Sequence, residues 1–369
     1  MRILITGGGT SGHVNPAIAI ANYMKQTIPD TEILFIGTQN GIESRLVPAE
    51  GYNIEFIKVK GFRRKLTLKN IDAAIKAVTS QIEARKIIKR FKPDLAIAMG
   101  GFVSGPVMAQ AAKLKIPTAI HESNAYPGLT TRILSKSVDK IMICFEETKK
   151  HLKYPEKCVL TGNPVRNELL SADSARAKNE LGITHPLILS CAGSMGSSTI
   201  NEIILNLMRD YTSKLDATHI HAAGVSASSG YTAQKTKFEE MGLNKNPNLE
   251  VLDYYSANHL VGSDIIISRA GATTISELAI LGKSAILVPS PYVTENHQYK
   301  NAKVLADSGA AILIEEKNCN SETLAAAIDD ILSGKKPNLS SNIRKYADRK
   351  AIQKIYYVLT DLTKKKSKQ

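Results

Sequence analysis

The chain has 369 residues, of which 43% are hydrophobic and 22% are charged, and its formal net charge is +14. This length exceeds that of an ordinary single domain and suits two, each with a sizeable core. The four cysteines are too scattered for a disulfide framework, and the chain lacks an apolar run long enough for a transmembrane helix. Because no signal-peptide pattern opens the chain, we expect a cytoplasmic protein.

Short β-branched runs alternate with helical stretches, which predicts parallel sheets flanked by helices. The predicted strands of the first half are Arg2–Thr6, Glu32–Ile36, Asn53–Val59, Asp94–Met99, Thr118–His121, Lys140–Ile143 and Cys158–Thr161. Those of the second half are Leu187–Ser190, His219–Ala222, Leu249–Leu252, Asp264–Ser268, Ala285–Val288 and Ala311–Ile314. A strand, a glycine-rich turn and a helix occur at Ile3–Gly12 and again at Leu187–Gly196, so the sequence predicts two similar α/β units in tandem.

The segment Thr161–Arg166 reads TGNPVR and is the natural hinge between these units. We therefore predict an amino-terminal domain over residues 1–162 and a carboxy-terminal domain over residues 163–342. Residues 343–369 are predicted to form an amphipathic helix that could return to the first domain, followed by a lysine-rich tail.

Six loops that follow predicted strands carry glycines or polar side chains. In parallel sheets, ligands bind at the carboxyl ends of the strands, where these loops lie. Two such domains facing each other would bring the loops to one rim. The loops are residues 7–16, 100–106, 121–128, 192–197, 268–278 and 289–302.

The first loop, Gly7–Pro16, suits an anion, because glycines let backbone amides approach it and a helix starting at Pro16 would add its positive end. The glycines also satisfy the GxGxxG pattern of dinucleotide-binding proteins. However, the end of the second predicted strand and the two residues after it, up to Thr38, lack the carboxylate that binds ribose in those proteins, which argues against an NAD-dependent oxidoreductase. His13 is either a general base for an acceptor hydroxyl or a partner of the loop itself.

Two further loops of the first half have two interpretations each. The segment Gly100–Pro106 either offers backbone to a ligand or makes a tight strand-to-helix turn, and its letters alone favour the turn. In the segment His121–Gly128, Asn124 either hydrogen-bonds a sugar hydroxyl or caps a helix.

The loops of the second half suit a sugar nucleotide. Ala192–Ser197 repeats the anion-binding pattern of the first loop and suits a diphosphate. Glu277 either accepts the ribose hydroxyls or completes a capping box with Thr274. His297 and Gln298 either bracket vicinal sugar hydroxyls or are ordinary polar residues at a helix start.

The positive charge is concentrated between Lys58 and Lys92, where twelve Lys and Arg residues face two acidic ones, a local net of +10. Such a stretch suits an anionic membrane surface or nucleic acid, although a solvated lysine-rich surface is the ordinary explanation. Because the stretch has few aromatic residues for stacking, we do not expect nucleic acid as a partner.

The order and spacing of these segments resemble the MurG family, the bacterial undecaprenyldiphospho-muramoylpentapeptide β-N-acetylglucosaminyltransferases, over nearly the whole chain. The segments that carry the resemblance are Gly8–Ala17, Gly100–Pro106, His121–Asn124, Gly162–Arg166, Ala192–Ser197, Ser268–Glu277 and His297–Ala302. The resemblance implies a GT-B fold, in which two Rossmann-like domains with parallel sheets face each other across a cleft. It also implies inverting transfer of GlcNAc from UDP-GlcNAc to the C4 hydroxyl of MurNAc in undecaprenyl-linked lipid I, giving lipid II for peptidoglycan synthesis.

The resemblance further implies roles for individual residues. His13 is the candidate base, Glu277 would hold the ribose, and His297 and Gln298 would hold the GlcNAc hydroxyls. Asn124 would lie by the donor sugar and Arg166 near the uracil. The remaining members of the implied substrate-binding set are Thr10, Ser11, Gly12, Ser194 at the diphosphate, Gly271, Ala272 and Thr273.

No cofactor or metal ion is expected, because the chain contains no Asp-x-Asp motif. The surface around residues 62–91 would rest on anionic lipid. The protein would then be a peripheral protein on the cytoplasmic face of the membrane. The chain departs from the family pattern at Ser11, where glycine is usual, and over residues 251–260. It also departs in the loop Ala192–Ser197, which has Ala and Ser where Gly and Ala are common. A related GT-B enzyme with a different lipid acceptor is the alternative.

Overall fold

The computed structural model describes the backbone of residues 1–59 and 69–366 and the side chains of residues 1–59 and 79–364. Two compact units make up the chain. The first consists of Met1–Val165 with Lys350–Gln369, and the second consists of Arg166–Arg349. Each is described below by itself.

Thirteen strands occur in the described backbone, and each overlaps one of the thirteen predicted strands. Their bounds are β1 Arg2–Thr6, β2 Glu32–Gly37, β3 Asn53–Phe56, β4 Leu95–Ala98, β5 Thr118–Glu122, β6 Lys140–Ile143, β7 Cys158–Leu160, β8 Leu187–Cys191, β9 Thr218–Ala222, β10 Leu249–Leu252, β11 Ile265–Ser268, β12 Ser284–Leu287 and β13 Ile312–Leu313.

The α-helices surround these strands, and none within the described residues is long and apolar enough to cross a membrane. Their bounds are α1 Ser11–Thr27, α2 Glu43–Ala49, α3 Lys69–Phe91, α4 Ser104–Lys113, α5 Leu129–Leu134, α6 Asn167–Leu170, α7 Ser174–Glu180, α8 Ser198–Asp210, α9 Tyr231–Glu240, α10 Ala257–Gly262, α11 Ala272–Leu281, α12 His297–Asp307, α13 Ser321–Leu332, α14 Leu339–Ile343 and α15 Ala351–Lys366.

The first unit is built on a seven-stranded parallel sheet of order β3-β2-β1-β4-β5-β6-β7. Its central strands are buried on both faces, so Ile3, Leu4 and Ile5 are all inaccessible to solvent. Such continuous apolar runs are typical of parallel strands covered by helices on both sides, which is why the sequence predicted them well. The loops after β1, β4 and β5 lie side by side because these strands are neighbours.

The second unit has a six-stranded parallel sheet of order β10-β9-β8-β11-β12-β13. The loops after β8, β11 and β12 are therefore adjacent. In both sheets the strand order reverses beside the first strand, at β1/β4 and at β8/β11, and such a point is where open α/β sheets bind ligands. The predicted α/β class with two Rossmann-like units is confirmed.

The carboxy-terminal segment differs from the predicted single helix over residues 343–369. Ile343 is fully buried in the second unit, where the neighbouring Arg344 donates to the carbonyl of Leu281 at 3.0 Å. The long helix α15 starts only at Ala351 and belongs to the first unit. There its apolar face, with Leu359 at its centre, joins the core cluster of α1 and the sheet.

Candidate active site

His13 lies in the first turn of α1, directly after the loop that follows β1. The helix begins at Ser11, so the predicted start at Pro16 is wrong, and Pro16 lies inside α1. Thr10 is the N-cap residue, and Ser11, Gly12 and His13 form the first turn. Because Ser11 is helical, its replacement of the usual glycine requires no left-handed backbone.

His13 is half-buried and hydrogen-bonded through one ring nitrogen. Its Nδ1 lies 2.9 Å from the carbonyl oxygen of Gly8 and 3.3 Å from Oγ1 of Thr10. A carbonyl oxygen can only accept, so we infer that Nδ1 carries the proton and Nε2 keeps its lone pair. The bond to the loop thus fixes the tautomer that a general base needs, and the two interpretations of His13 are compatible.

The double glycine after β4 makes room for this arrangement. Gly100 and Gly101 have φ values of +102° and +84°. A Cβ atom on Gly100 would lie 2.8 Å from Nε2 of His13, and one on Gly101 would lie 2.6 Å from the carbonyl oxygen of Gly8. The segment is therefore a tight turn, as its letters favoured, and it also packs directly against the candidate base.

Asn124 is oriented by Glu122, a residue whose role the sequence did not reveal. One carboxylate oxygen of Glu122 accepts from the backbone and side-chain nitrogens of Asn124, both at 3.1 Å. The other accepts from the Gly128 amide at 3.0 Å and from the Thr131 hydroxyl at 2.6 Å. The N-cap of α5 is Gly128, so the interpretation of Asn124 as a helix cap is wrong.

In the second unit, the loop between β8 and α8 presents its backbone to solvent. Gly193 and Gly196 have φ values of +94° and +82°, and Ser194 and Met195 between them are exposed. A Cβ atom on Gly196 would lie 2.3 Å from the carbonyl oxygen of Ala223, so only glycine fits there. Within the described residues, the amides of 193–195 donate no hydrogen bond. They are available to an anion beside the amino end of α8.

A buried chain of hydrogen bonds supports this loop from below. Ser190 Oγ lies 2.8 Å from both His219 Nε2 and His221 Nδ1, and His221 Nε2 lies 3.0 Å from Asn201 Oδ1. Asn201 in turn donates to the carbonyl of Ala223 at 3.0 Å. Burial lowers the pKa of His219 to about 3 and that of His221 to about 4, so both rings are neutral links in the chain.

Arg269 connects three loops of the second unit, a role that no sequence motif indicated. Its guanidinium donates to Ser197 Oγ at 3.0 Å and to the carbonyl of Val288 at 3.1 Å. It also forms an ion pair of 2.6 Å with Glu316, whose side chain is 9% exposed. Ser197 is the N-cap of α8, so a positive charge stands close to the exposed glycine loop.

Glu277 is paired with Arg166. Helix α11 has Gly271 as its N-cap, which places Thr274 third and Glu277 sixth in the helix, so the capping-box interpretation is wrong. The buried carboxylate of Glu277 accepts from Nε of Arg166 at 2.8 Å. Burial raises the pKa of Glu277, and the guanidinium of Arg166 opposes this rise.

Two features beside Glu277 suit a ligand. The buried hydroxyl of Thr273, which follows Gly271 and Ala272, has no hydrogen-bond partner in the part of the chain that the structure describes. Tyr254 is 56% exposed and stacks on Tyr255 with ring centroids 5.1 Å apart. Both tyrosines lie in the segment 251–260 that departs from the family pattern.

His297 and Gln298 open α12, after two non-glycine residues with left-handed backbone, Glu295 and Asn296. Gln298 Oε1 accepts from the amide of Ser290 at 2.9 Å, which leaves the side-chain nitrogen as a donor. His297 Nδ1 lies 2.9 Å from the carbonyl of Thr294, so it carries the proton.

The sequence-predicted residues thus form two groups. In the first unit, Thr10, Ser11, Gly12 and His13 share one turn, and Asn124 lies on the loop after β5. The second unit contains Arg166, Ser194, Gly271, Ala272, Thr273, Glu277, His297 and Gln298.

The basic stretch is described only in part, because Lys60 to Leu68 and the side chains of residues 69–78 lie outside the described residues. In the described part, Ile82 is 53% exposed. Near it Arg85 donates to Gln110 Oε1 at 3.3 Å, and Lys113 lines the same shallow surface.

Similarity to known proteins shows the family to which the chain belongs. The model of the glycosyltransferase family 28 N-terminal domain matches residues 3–143, and that of the family's C-terminal domain matches residues 187–355. The UDP-N-acetylglucosamine--N-acetylmuramyl-(pentapeptide) pyrophosphoryl-undecaprenol N-acetylglucosamine transferase of Acetivibrio thermocellus is 43% identical, with 100% of each chain covered. The chain belongs to the MurG family.

Other members of the MurG family support this placement. The transferase of the same name from Ruminiclostridium cellulolyticum is 42% identical, over 98% of this chain and 100% of its own. The crystal structure of MurG from Acinetobacter baumannii matches with a TM-score of 0.78 at 27% identity, covering 98% of this chain and 99% of that one. The GT-B fold expected for the MurG family is therefore confirmed.

Proposed function

We propose that the chain transfers GlcNAc from UDP-GlcNAc to lipid I, the undecaprenyl-diphosphate-linked MurNAc-pentapeptide, and so produces lipid II for peptidoglycan synthesis. The observation that carries this proposal is the end-to-end similarity to the Acetivibrio thermocellus transferase. The geometry supports it because one unit holds a candidate base and the other holds a set of groups suited to a sugar nucleotide.

The donor is assigned to the second unit. The diphosphate would lie on the amides of residues 193–195 with Ser194, and the ribose would bond to Glu277 beside Arg166. The Thr273 hydroxyl would gain the partner that it lacks, next to Gly271 and Ala272. Gln298 would donate its amide nitrogen to a hydroxyl of GlcNAc, with His297 beside it.

The acceptor is assigned to the first unit, where Thr10, Ser11 and Gly12 adjoin the base. Nε2 of His13 would take the proton from the C4 hydroxyl of MurNAc as its oxygen bonds to the anomeric carbon of GlcNAc. The bond from that carbon to the diphosphate breaks on the opposite side, so the configuration inverts and UDP leaves with the electron pair. Exposed loop amides and the amino end of α8 would stabilise the charge that develops on UDP.

A peripheral position on the cytoplasmic face of the membrane is also proposed. It is supported by the net charge of +10 over residues 58–92 and by the exposed Ile82 near Arg85. Basic and apolar side chains together favour an anionic lipid surface, and the lipid-linked acceptor is held in such a membrane.

The test is to incubate the purified full-length protein with UDP-GlcNAc and a lipid I analogue and to measure disaccharide and UDP. The proposal predicts one UDP released for each disaccharide formed. Turnover with a diacylglycerol acceptor and none with the lipid I analogue would instead favour a related GT-B enzyme with another acceptor.

A further inference from the structure

A buried carboxylate lies beneath the loop to which His13 is hydrogen-bonded. Glu43, the first residue of α2, is 1% exposed and accepts three hydrogen bonds. Its Oε2 accepts from the Gly9 amide at 3.0 Å, and its Oε1 accepts from the amide and hydroxyl of Thr38 at 2.9 and 2.7 Å. Within the described residues no cation forms an ion pair with it.

The surrounding backbone is shaped to admit this side chain. Cβ atoms on Gly8, Gly37 and Gly41 would lie 2.4, 2.5 and 2.2 Å from atoms of Glu43. Burial alone would raise the pKa of Glu43, but the hydrogen bonds from Thr38 and Gly9 outweigh it and lower the pKa. The group is therefore a buried anion at neutral pH.

This arrangement reverses the usual use of the loop after the first strand. In dinucleotide-binding proteins that loop binds a ligand phosphate, and an acidic residue after the second strand binds the ribose. In this chain the acidic residue after β2, Glu43, is buried, and it accepts the hydrogen bond of the Gly9 amide.

The hydrogen bonds of Glu43 and His13 meet at a single peptide group. The amide of Gly9, which donates to Glu43, and the carbonyl of Gly8, which accepts from His13 Nδ1 at 2.9 Å, belong to the same peptide bond. An anion that accepts from a peptide N–H polarises the peptide and makes its carbonyl oxygen a stronger acceptor. The carboxylate, the peptide and the imidazole thus form one polarised chain.

We propose that Glu43 is a positioning residue for His13, acting through the Gly8–Gly9 peptide group. The inference rests on the proposed role of His13 as the base. The peptide fixes the ring by its Nδ1–H, and the carboxylate stabilises the imidazolium that forms when Nε2 takes a proton. A carboxylate bonded directly to a catalytic histidine acts in the same sense.

Other titratable groups close to His13 are few in the described part of the unit. His121, at the end of the neighbouring strand β5, interacts electrostatically with His13. Burial lowers the pKa of His121, so that ring is neutral at neutral pH. The adjacent Glu122 is engaged by Asn124 and the start of α5. Glu43 is therefore the anion that reaches His13 through hydrogen bonds.

The test measures His13 directly, by following its ring nitrogens in ¹⁵N NMR spectra of the full-length protein over a pH series. A His13→Gln spectrum identifies its signals among those of the eight histidines. In Glu43→Gln we expect the pH at which His13 is half protonated to move down by about 0.5 pH unit or more, because the imidazolium loses a stabilising charge. We also expect kcat to fall about tenfold, with KM for UDP-GlcNAc unchanged.

Asp139→Asn is the matched control. Asp139 accepts from the amide and hydroxyl of Thr118, both at 2.8 Å, as Glu43 does from Thr38, but it has no bond to the first loop. This variant should keep the wild-type titration of His13 and its kcat. An equal shift in both variants, or a folded Glu43→Gln with wild-type titration, would overturn the proposal.

Glu43→Asp provides a second variant if Glu43→Gln does not fold. It keeps the charge but withdraws the carboxylate from Gly9, so we expect a smaller downward movement of the pH at which His13 is half protonated. If that pH does not move, the proposed action of Glu43 through the Gly8–Gly9 peptide group is refuted. Because the NMR titration uses no substrate, it stands even if the acceptor proves different. Failure of the proposed function would appear only in the transfer assay.

Discussion

The loops after β1 and β8 occupy equivalent places in the two sheets but are built around opposite charges. Beneath the first loop lies the carboxylate of Glu43, which takes the amide of Gly9. Next to the second lies the guanidinium of Arg269, bonded to Ser197 at the start of α8. In the first loop the Gly9 amide is therefore occupied by an internal carboxylate, whereas in the second the amides of residues 193–195 are left to a ligand.

This difference shows that glycine content alone does not define an anion site. Both loops have the backbone freedom to approach a phosphate, and both precede a helix. We infer that the charge nearest each loop decides which of them attracts one. The first loop is instead bonded to the candidate base, and we assign the diphosphate to the second.

Replacing the base should have the largest effect on activity. In His13→Gln, the side-chain amide can still donate to Gly8 but cannot take a proton, so kcat should fall about 10²- to 10⁴-fold. Binding of UDP-GlcNAc, measured by calorimetry, should stay the same because His13 is not among the groups that we assign to the donor. Activity within a few-fold of wild type would mean that His13 only braces its loop.

Replacing the ribose ligand should weaken the donor rather than the chemistry. Glu277→Gln removes the charge beside Arg166 and should raise KM for UDP-GlcNAc about 10- to 100-fold, the cost of a charged hydrogen bond. Glu168→Gln is the control, because Glu168 is an exposed partner of the same guanidinium at 3.2 Å. If both variants raise KM equally, the specific role of Glu277 is refuted.

The same carboxylate predicts a pH dependence. Burial raises the pKa of Glu277, so its carboxylate becomes protonated at a higher pH than an exposed glutamate does. Donor affinity should therefore decline as pH falls through this raised pKa, and the decline should disappear in Glu277→Gln. If donor affinity still declines at low pH in the variant, the titrating group is not Glu277.

A smaller effect is expected where the double glycine meets His13. In Gly100→Ala the new methyl group would displace the ring of His13, so kcat should fall about tenfold. Gly51→Ala is the control: Gly51 also has a positive φ, of +78°, but open space around it. Both variants should lose some thermal stability from backbone strain, and only Gly100→Ala should lose kcat.

The sequence predicted the sheets better than the site. Every strand of the described backbone was located, because buried parallel strands read as short apolar runs between turn residues. The start of α1 was missed, since Pro16 looked like a first helical residue although the first turn holds Ser11 and His13. The local sequence pattern does not distinguish a helix that starts at Pro16 from one that starts a turn earlier, at Ser11.

The hydrogen-bond partners of the functional residues could not be predicted from local sequence for a different reason. Glu43 begins α2, thirty-four residues after Gly9 in the chain, and only the fold brings them together. A ribose-binding carboxylate is expected at the end of the second strand, and Glu43 lies a few residues beyond that point. Arg269 stood in a recognised motif, yet its bonds to Ser197 and Glu316 depend on strand order.

The contrast between the two glycine loops can be tested by titrating the ¹⁵N-labelled protein with UDP and following backbone amide signals. We predict that Gly193, Ser194 and Met195 shift in proportion to bound UDP, while the amides of Gly8 and Gly9 keep their positions. Shifts at Gly9 comparable to those at Ser194 would contradict the account, because they would show a ligand phosphate where we place only the carboxylate of Glu43.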